Sequence, residues 1–468
     1  MRSFMGIDLG TTFFKAGLFD DRGRLLGLGR VSVEKEESDG RCELPIAAFW
    51  RLLSQAVAES LAAAAIKPEA VAGLSYSSQA NSFLLLEASG APLTPLVLWP
   101  DRRASELVGA NDDPWHHADF LHITGVGVGG AEFAAYKLAW FRREQPSLWR
   151  RVRMVQTISD HLVYGLTGNR LGDLSTASLL GLVDQRCNTW WSEGLNPFGI
   201  AINTLSAPRR PGTPAGPLTG EGAQRIGLRP GTLLVLGGLD HYMAAVGAGL
   251  GSLAEFCEST GTVLAAVALN ARFEPYENRC IGPTHQPDRF YELTFNESGS
   301  SNLDWYRTHF APDASIPELI TLAGTVPPGC LGLRARPVLS GLTKEAAFEG
   351  ASEVHTQGHF VRAILEANAA ALDGLIARLG KERRPERILA TGGGARSDIW
   401  LQLKADRLGL EVVRVTCEEP ACQGAAWMAA RAFGNLPSSA EADWRRVRRR
   451  YTPNPVCRRL YATLHGED

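Results

Sequence analysis

The chain carries two copies of one short pattern, in which an apolar strand runs into a turn of glycine and threonine and then into a second apolar strand. The first copy spans residues 5–20 and turns at Gly10-Thr11-Thr12, and the second spans residues 256–267 and turns at Thr260-Gly261-Thr262. Glycine lets such a turn point its N–H groups outward, and the threonine hydroxyls add further donors. One copy alone is equally typical of a plain surface hairpin. Two copies on two halves of the chain predict a duplicated fold with two phosphate-binding turns.

Charged residues flank the first turn, and a third glycine turn follows later. Asp8 ends the first strand and can hold Mg²⁺ directly or through water, while Lys15 can meet a phosphate oxygen. The stretch 388–400 reads as a strand, then Gly392-Gly393-Gly394, then a helix start that Ser397 or Asp398 can cap. Flat glycines there would let an adenine ring lie against the backbone. A triple glycine alone is weak, because such turns are common in α/β proteins.

Composition excludes several other classes of protein. The 468 residues are too many for one core and suit two domains. A net charge of −2 gives no overall attraction to nucleic acid or to an acidic membrane, so neither is expected as a partner. We expect the run 445–450, which holds five arginines, to be a solvated or interdomain face of a short terminal helix. Eight scattered cysteines without a CxxC pair argue against zinc and disulfides. With no signal-peptide pattern or long apolar run, they predict a cytoplasmic protein.

Alternating strand and helix patterns organise the chain. Apolar spacing predicts helices at 45–65 and 359–379, and a buried parallel strand at 71–77. A strand at 232–236 leads into Gly237-Gly238-Leu239-Asp240, and the small residues that follow mark a domain boundary. We therefore expect domains at 1–248 and 249–468.

The sequence resembles the FGGY carbohydrate kinases of the sugar-kinase and actin ATPase superfamily over nearly its whole length. Besides the two hairpins and the triple-glycine turn, the matching segments are Leu98-Trp99-Pro100-Asp101-Arg102-Arg103, Tyr136-Lys137-Leu138-Ala139-Trp140, Ser159-Asp160-His161-Leu162, Gly237-Gly238-Leu239-Asp240-His241, Gln423-Gly424-Ala425-Ala426 and Tyr451-Thr452-Pro453-Asn454-Pro455. The resemblance implies an α/β fold of two ribonuclease-H-like (actin-like ATPase) domains with a cleft between them. It also implies transfer of the γ-phosphoryl group of ATP to a sugar hydroxyl, with Mg²⁺.

Residue by residue, the resemblance assigns roles around ATP. Asp240 matches the catalytic base, and a helix-capping aspartate is its structural alternative. Asp8 and Asp240 are expected at the Mg²⁺. The residues expected at ATP and its phosphates are Gly10, Thr11, Thr12, Lys15, Thr260, Gly261, Thr262, Ser300, Asp304, Gly393, Gly394, Ala395 and Asp398.

The sugar is expected to be a ketopentose or ketohexose such as xylulose. Glycerol kinases carry Arg-Glu where Ala80-Asn81 stand here, which disfavours glycerol, and xylulokinases carry Met-His there. Trp99 offers a ring face for a carbon chain, and ordinary core packing is its structural alternative. The residues expected at the sugar are Gln79, Ala80, Asn81, Trp99, Asp101, Phe133, Asp240 and His241.

Two alternative functions stay open at this point. A non-sugar ATPase of the same superfamily would share the phosphate turns but would not need the LWPDRR segment or the Asp240-His241 pair. A catalytically weak, sugar-responsive binding protein would have lost Asp8, Asp240 or a phosphate turn, and all three are intact. His355 and His359 lack the glutamate of an HExxH motif, so a helix N-terminus is the better interpretation. A homodimer is expected because dimers are common among similar kinases.

Overall fold

Both hairpins are present in the computed structural model, which describes residues 2–109, 117–379, 384–434 and 443–465. The strands are β1 Ser3–Leu9, β2 Phe13–Asp20, β3 Leu25–Ser32, β4 Glu36–Ser38, β5 Arg41–Leu44, β6 Val71–Ser78, β7 Phe83–Leu86, β8 Leu96–Val97, β9 Met154–Thr157, β10 Leu171–Asp173, β11 Val183–Asp184, β12 Thr189–Trp190, β13 Ala207–Arg209, β14 Pro214–Pro217, β15 Leu233–Val235, β16 Gly238–Leu239, β17 Phe256–Thr260, β18 Leu264–Asn270, β19 Cys280–Pro283, β20 Phe290–Asn296, β21 Arg334–Ala335, β22 Phe348–Glu349, β23 Arg387–Thr391, β24 Glu411–Val415 and β25 Val447–Tyr451.

The α-helices are α1 Ile46–Ala64, α2 Phe120–Thr124, α3 Ala134–Glu144, α4 Pro146–Trp149, α5 Ile158–Thr167, α6 Leu174–Ser178, α7 Ser192–Leu195, α8 Gly220–Ile226, α9 Asp240–Ala248, α10 Ser301–Phe310, α11 Ile316–Gly324, α12 Lys344–Ala347, α13 Gln357–Leu379, α14 Asp398–Leu408, α15 Pro420–Ala432 and α16 Pro455–His465. Within the described ranges, no helix combines the length and the apolar character that crossing a membrane would need.

The residues divide into two compact units, each of which is discontinuous in sequence. Unit 1 comprises Met1–Gly247, Asn270–Glu292 and Glu419–Trp444. Unit 2 comprises Ala248–Leu269, Leu293–Glu418 and Arg445–Asp468. The expected division at 248/249 into two continuous domains stays a prediction.

Unit 1 is built on a mixed sheet with the order β14-β15-β6-β1-β2-β3. The hairpin β1–β2 is antiparallel, and β1 is parallel to β6, beside which β15 and β16 also run parallel. An apolar core that includes Ile7, Phe14 and Leu53 lies between this sheet and its helices. Strand β6 ends one residue beyond the predicted parallel strand, and α1 falls within the predicted helix.

Unit 2 repeats the arrangement with the strand order β18-β17-β23-β24-β25. The hairpin β17–β18 is antiparallel, while β17, β23 and β24 run parallel. The long helix α13 starts two residues before the predicted helix and ends where expected. A hairpin followed by parallel strands in both units confirms the duplicated α/β fold.

One expected element is wrong. The arginine-rich run 445–450 does not form a helix, because residues from Val447 onward form β25, paired antiparallel with β24. Tyr451 lies in the core of unit 2, and arginines 448, 449 and 450 are exposed. Arg449 and Arg450 pair with Asp398 and Glu411. The solvated-face interpretation therefore holds for a strand rather than for a helix.

Glycine sets how closely helix α15 approaches the sheet of unit 1. A Cβ on Gly6 of β1 would lie 1.8 Å from the Cys422 carbonyl oxygen, and a Cβ on Gly424 would lie 2.0 Å from the Met243 carbonyl oxygen. Backbone atoms cannot move aside as a flexible side chain would. The packing of α15 on β1 and on α9 therefore requires glycine at both positions.

We predict that Gly6→Ala lowers the free energy of unfolding by about 3 kcal/mol, because it overpacks a backbone contact. Gly374→Ala is the control, since a Cβ there meets nothing within 4 Å in helix α13. That change should be neutral or stabilise by up to about 1 kcal/mol. Urea denaturation followed by circular dichroism measures both, and equal midpoints for the two variants would contradict the account.

Candidate active site

The carboxylate of Asp8 lies at the carboxyl end of β1, where three strands meet in register. Asp8 on β1 and Gly238 on β16 both pair with Ser77 of β6. Asp8 Oδ1 accepts a hydrogen bond from Ser77 Oγ at 2.9 Å. Ligands of parallel sheets gather at this end of the strands. The chain leaving β16 therefore starts helix α9 with Asp240 close to Asp8.

Lys15 lies between two carboxylates of unit 1. Its Nζ is 3.4 Å from Asp8 Oδ2 and 2.7 Å from Glu419 Oε2. Burial acts to lower the pKa of Lys15, but the two carboxylates outweigh it and raise that pKa to about 12. Burial also raises the pKa of Asp8, as does the charge of Asp240, while Lys15 opposes the shift.

Glu419 is a site residue that the sequence analysis missed. It directly precedes α15 and is buried, although 404 positions separate it from Lys15. Its only sequence signal is an acidic residue before Pro420 at a helix start. That pattern is typical of any helix N-terminus.

Asp240 is the first residue of α9 and is partly exposed. Its Oδ1 accepts the His241 backbone N–H at 2.7 Å, so the carboxylate is held at the helix start. The residue before it is also fixed, because Leu239 N–H donates to Ser175 Oγ at 3.0 Å. Ser175 Oγ in turn donates to the fully buried Asp173 at 2.8 Å. This buried chain of hydrogen bonds sets the position of Asp240.

Polar side chains link the first turn to the segments expected at the sugar. Trp99 Nε1 donates to Thr11 Oγ1 at 2.7 Å, and Trp99 N–H donates to Ser82 Oγ at 2.9 Å. Ser82 Oγ donates to Gln79 Oε1 at 3.0 Å. The indole of Trp99 is only partly buried. Gln79 and Trp99 therefore lie together beside Thr11, while Thr12 is exposed at the tip of the turn.

Lys137 binds the backbone of the two segments that contain Asn81 and Trp99. Its ammonium is fully buried and donates to the carbonyl oxygens of Asn81, Leu98 and Trp99 at 3.1, 3.0 and 3.2 Å. Asn81 adopts a left-handed conformation with φ 58°, and its Oδ1 accepts the Ala134 N–H. Burial lowers the pKa of Lys137 to about 7. Lys137 therefore holds the backbone around Asn81 and Trp99.

The other residues expected at the sugar differ in exposure. Asp101 is fully buried and accepts hydrogen bonds from Cys42 N–H and from the backbone and guanidinium of Arg103. Those bonds outweigh burial and lower the pKa of Asp101. Phe133 is buried at the start of α3, whereas Ala80 and His241 are partly exposed. Asp101 thus anchors Arg103 within unit 1, and its role at the sugar stays a prediction.

In unit 2 the second turn lies beside the triple-glycine turn. Thr260 is fully buried, Gly261 partly exposed and Thr262 exposed. Ser300 donates through both its N–H and its Oγ to the Gly261 carbonyl, at 2.7 and 2.9 Å. Gly393 is exposed, and Gly394 and Ala395 are buried in a short 3₁₀ turn. Unit 2 therefore brings Ser300 to the turn Thr260-Gly261-Thr262, the threonine turn of unit 2.

Two acidic residues expected at ATP lie on helices of unit 2. Asp304 is exposed on α10, and Asp398 is the first residue of α14. Asp398 accepts hydrogen bonds from the Tyr451 hydroxyl at 2.6 Å and from Arg449 at 2.7 Å. Ser397 is the capping residue of α14, through the Trp400 N–H. The role of both carboxylates at ATP stays a prediction.

The histidine pair, His355 and His359, lies at the start of helix α13. Both His355 and His359 accept backbone N–H groups three residues earlier, from Ser352 and Thr356, at the start of α13. Across the described ranges, no three histidine, cysteine or acidic side chains are grouped to hold a metal ion. Asp8 nevertheless fits a Mg²⁺ site, because Mg²⁺ is commonly bound through one or two carboxylates together with phosphates and water.

Two α/β units, each with a glycine–threonine hairpin beside parallel strands, define a protein of the two-domain actin-like ATPase class. Residues 3–247 match the model of the N-terminal domain of the FGGY family of carbohydrate kinases, and residues 323–433 match that of its C-terminal domain. The chain belongs to the FGGY family of carbohydrate kinases. It is accordingly an ATP-dependent sugar kinase, with ATP and a small sugar as substrates.

Curated relatives and solved structures match over almost the whole chain. The xylulose kinase of Lactococcus lactis subsp. lactis is 27% identical over 470 residues, covering 97% of this chain and 93% of the relative. The autoinducer-2 kinase of Salmonella choleraesuis is also 27% identical, with 96% and 90% coverage. The crystal structure of a xylulose kinase from Rhodospirillum rubrum superimposes with a TM-score of 0.87 at 25% identity, covering 100% of this chain and 97% of that one.

We predict that Lys137→Met removes a pH dependence of stability. Between the folded pKa of about 7 and the ordinary value of 10.5, the unfolded chain holds a proton on Lys137 that the folded chain lacks. Raising the pH through this window therefore stabilises the folded wild type. From pH 7 to pH 9, the free energy of unfolding of the wild type should gain about 2 kcal/mol relative to the variant.

Chemical denaturation at a series of pH values measures the difference. Lys67→Met, at an exposed lysine, controls for the loss of one positive charge. A wild-type minus Lys137→Met difference that stays constant from pH 7 to pH 9 would contradict the assigned burial of the ammonium.

Proposed function

We propose that this kinase phosphorylates a ketopentose or ketohexose such as xylulose, with Asp240 as general base and Mg²⁺ at Asp8. The observation that carries the proposal is the position of Asp240, partly exposed at the strand ends beside Asp8, whose carboxylate lies 3.4 Å from Lys15 Nζ. Phosphoryl transfer needs a base for the attacking hydroxyl and positive charge for the phosphates. Unit 1 supplies candidates for both.

The proton of the attacking hydroxyl goes to Asp240. Oδ1 already accepts the His241 N–H, so we assign the proton transfer to Oδ2. A general base typically contributes about 10² to 10⁴ in rate. The alternative role as a helix start is compatible with catalysis, because the same backbone contact that begins α9 also orients the carboxylate.

Phosphate contacts are proposed for both turns. In unit 1, Lys15 and the turn Gly10-Thr11-Thr12 meet phosphate oxygens, and in unit 2 the exposed Thr262 does so. Mg²⁺ would be held by Asp8 and would neutralise charge on the β- and γ-phosphates. Adenine is assigned to Gly393, Gly394 and Ala395, where glycine lets the ring approach the backbone. The raised pKa of Lys15 supports a permanently cationic phosphate ligand at neutral pH.

Sugar recognition is proposed for the segments that Lys137 holds. Gln79 and Asn81 offer neutral amide groups, and the partly exposed Trp99 offers a ring face to a carbon chain. Neutral donors and acceptors suit hydroxyl groups, whereas a sugar acid would need a cation. Several relatives carry the name xylulose kinase, which supports a ketose, and the autoinducer-2 kinases widen the panel to be tested.

We also propose a cytoplasmic location and a dimeric assembly for the protein. None of the eight cysteines is part of a disulfide, and five of them are buried, which suits the reducing cytoplasm. A homodimer is proposed, and sedimentation velocity tests it.

We predict that one ketose in a panel of ketoses, aldoses, polyols and sugar acids raises ADP release far above background with Mg²⁺. Asp240→Asn should then lower kcat by about 10² to 10⁴, because no group accepts the hydroxyl proton. Asp21→Asn removes an exposed aspartate of unit 1 and should leave kcat near the wild-type value.

Three outcomes contradict parts of the proposal. Equal ADP release with and without carbohydrate would indicate a plain ATPase. ATP binding without turnover for any carbohydrate would favour a sugar-responsive binding protein. Full activity of Asp240→Asn would assign the base elsewhere.

A further inference from the structure

Beneath the threonine turn of unit 2 lies a fully buried ion pair that the proposed mechanism does not use. Lys404 of α14 and Glu258 of β17 are 0% and 1% exposed, and Lys404 Nζ is 2.7 Å from Glu258 Oε1. Burial lowers the pKa of the Lys404 ammonium, and the Glu258 carboxylate opposes that shift. The sequence signal is a lysine on the apolar face of a helix, among Leu401, Ala405 and Leu408.

Thr260 closes this pair into a ring of hydrogen bonds. Its Oγ1 donates to Glu258 Oε2 at 2.7 Å and accepts from Lys404 Nζ at 2.6 Å. The ammonium also lies 5.2 Å from the centre of the Trp400 ring, a favourable cation–π distance. The Thr260 side chain is therefore committed inside unit 2, and Thr262 is the exposed threonine of the turn.

The same threonine contacts the triple-glycine turn. A Cβ on Gly394 would lie 2.8 Å from Thr260 Cβ, and a Cβ on Gly392 would lie 2.6 Å from the Thr260 carbonyl oxygen. Thr391, just before those glycines, donates through Oγ1 to the Glu258 carbonyl at 2.8 Å. Glu258 and Thr260 thus join the threonine turn to the triple-glycine turn.

A buried ion pair is poor evidence for stability as such. Desolvation of two charges offsets most of their attraction, and apolar residues of similar volume are often as stable. A directional network of charge-assisted hydrogen bonds, by contrast, fixes the atoms it joins. Here the joined atoms lie directly under the turn expected to bind phosphates.

We propose that Lys404, Glu258 and Thr260 are positioning residues that hold the threonine turn of unit 2 in register with the triple-glycine turn for nucleotide binding. Thr260 acts through this ring rather than by touching a phosphate, and the phosphate contact falls to Thr262. The inference rests on the proposed function of the turn as a phosphate site.

The test compares KM for MgATP, KM for the sugar and direct binding of MgADP by calorimetry. Lys404→Met and Thr260→Val should each weaken MgATP and MgADP by about tenfold to a hundredfold, because the turn moves out of position. KM for the sugar should stay within about twofold, since the sugar residues lie in unit 1. Thr260→Ser keeps the hydroxyl and should remain close to wild type.

A double-mutant cycle separates positioning from direct contact. If Thr260 acts through Lys404, adding Thr260→Val to Lys404→Met weakens MgADP binding little further. Losses that multiply in full would show that Thr260 contacts the nucleotide independently and would overturn the inference. Glu366→Gln is the control, since it disrupts another ion pair of unit 2, with Arg362 at 2.8 Å. Equal weakening of MgADP by this control would show a merely structural effect and would also overturn the inference.

Thr262→Val distinguishes the failure of this inference from the failure of the proposed function. If it weakens MgATP while Lys404→Met and Thr260→Val do not, the turn binds phosphate and the ring is not needed. If none of these variants changes KM for MgATP, the turn is not a phosphate site and the proposed role of the turn fails. Thermal melting of every variant identifies any that fails to fold, and Thr260→Val against Thr260→Ser then carries the test.

Discussion

The N-terminal hairpin is completed by a helix from the far end of the chain. Glu419, just before α15, brings a carboxylate to Lys15, and Gly6 lets the backbone of α15 lie directly on β1. Without this distant segment Lys15 would face Asp8 alone, so the full charged site of unit 1 depends on the docking of α15. The close backbone contact and the ion pair thus couple the packing of the sheet to the electrostatics of the proposed phosphate site.

Buried polar side chains also support the backbone of residues that are proposed to contact a substrate. Lys137 holds the carbonyls around Asn81 and Trp99, and a buried aspartate reaches the Asp240 segment through Ser175. Each network costs desolvation, which only well-formed hydrogen bonds offset. In return it fixes the backbone at residues proposed to touch a substrate. Pre-organisation of this kind is what transfer of a phosphoryl group requires, since positioning and electrostatics supply most of the catalysis.

Much of the fold and part of the candidate site were predictable from local sequence. The two glycine–threonine turns and the strand leading to Asp240 follow from short patterns, so the fold class was predicted and is confirmed. Glu419 was missed because its partner lies 404 positions away. Lys137 and Lys404 lie on apolar helix faces. Lys137 is satisfied by backbone carbonyl oxygens and Lys404 by a strand carboxylate, and only tertiary packing determines these partners. The arginine run was assigned to a helix because charge alone does not distinguish a helix from an edge strand.

A sugar kinase passes the phosphoryl group of ATP to a sugar and not to water. Phosphorus NMR of a reaction with MgATP and the best carbohydrate measures this directly, by comparing phosphate-ester, ADP and inorganic-phosphate signals. We expect a sugar phosphate ester to form in step with ADP, with little inorganic phosphate, and we expect the ester signal to be lost when Asp240 is replaced by asparagine. Inorganic phosphate appearing in step with ADP, with no ester, would contradict this expectation.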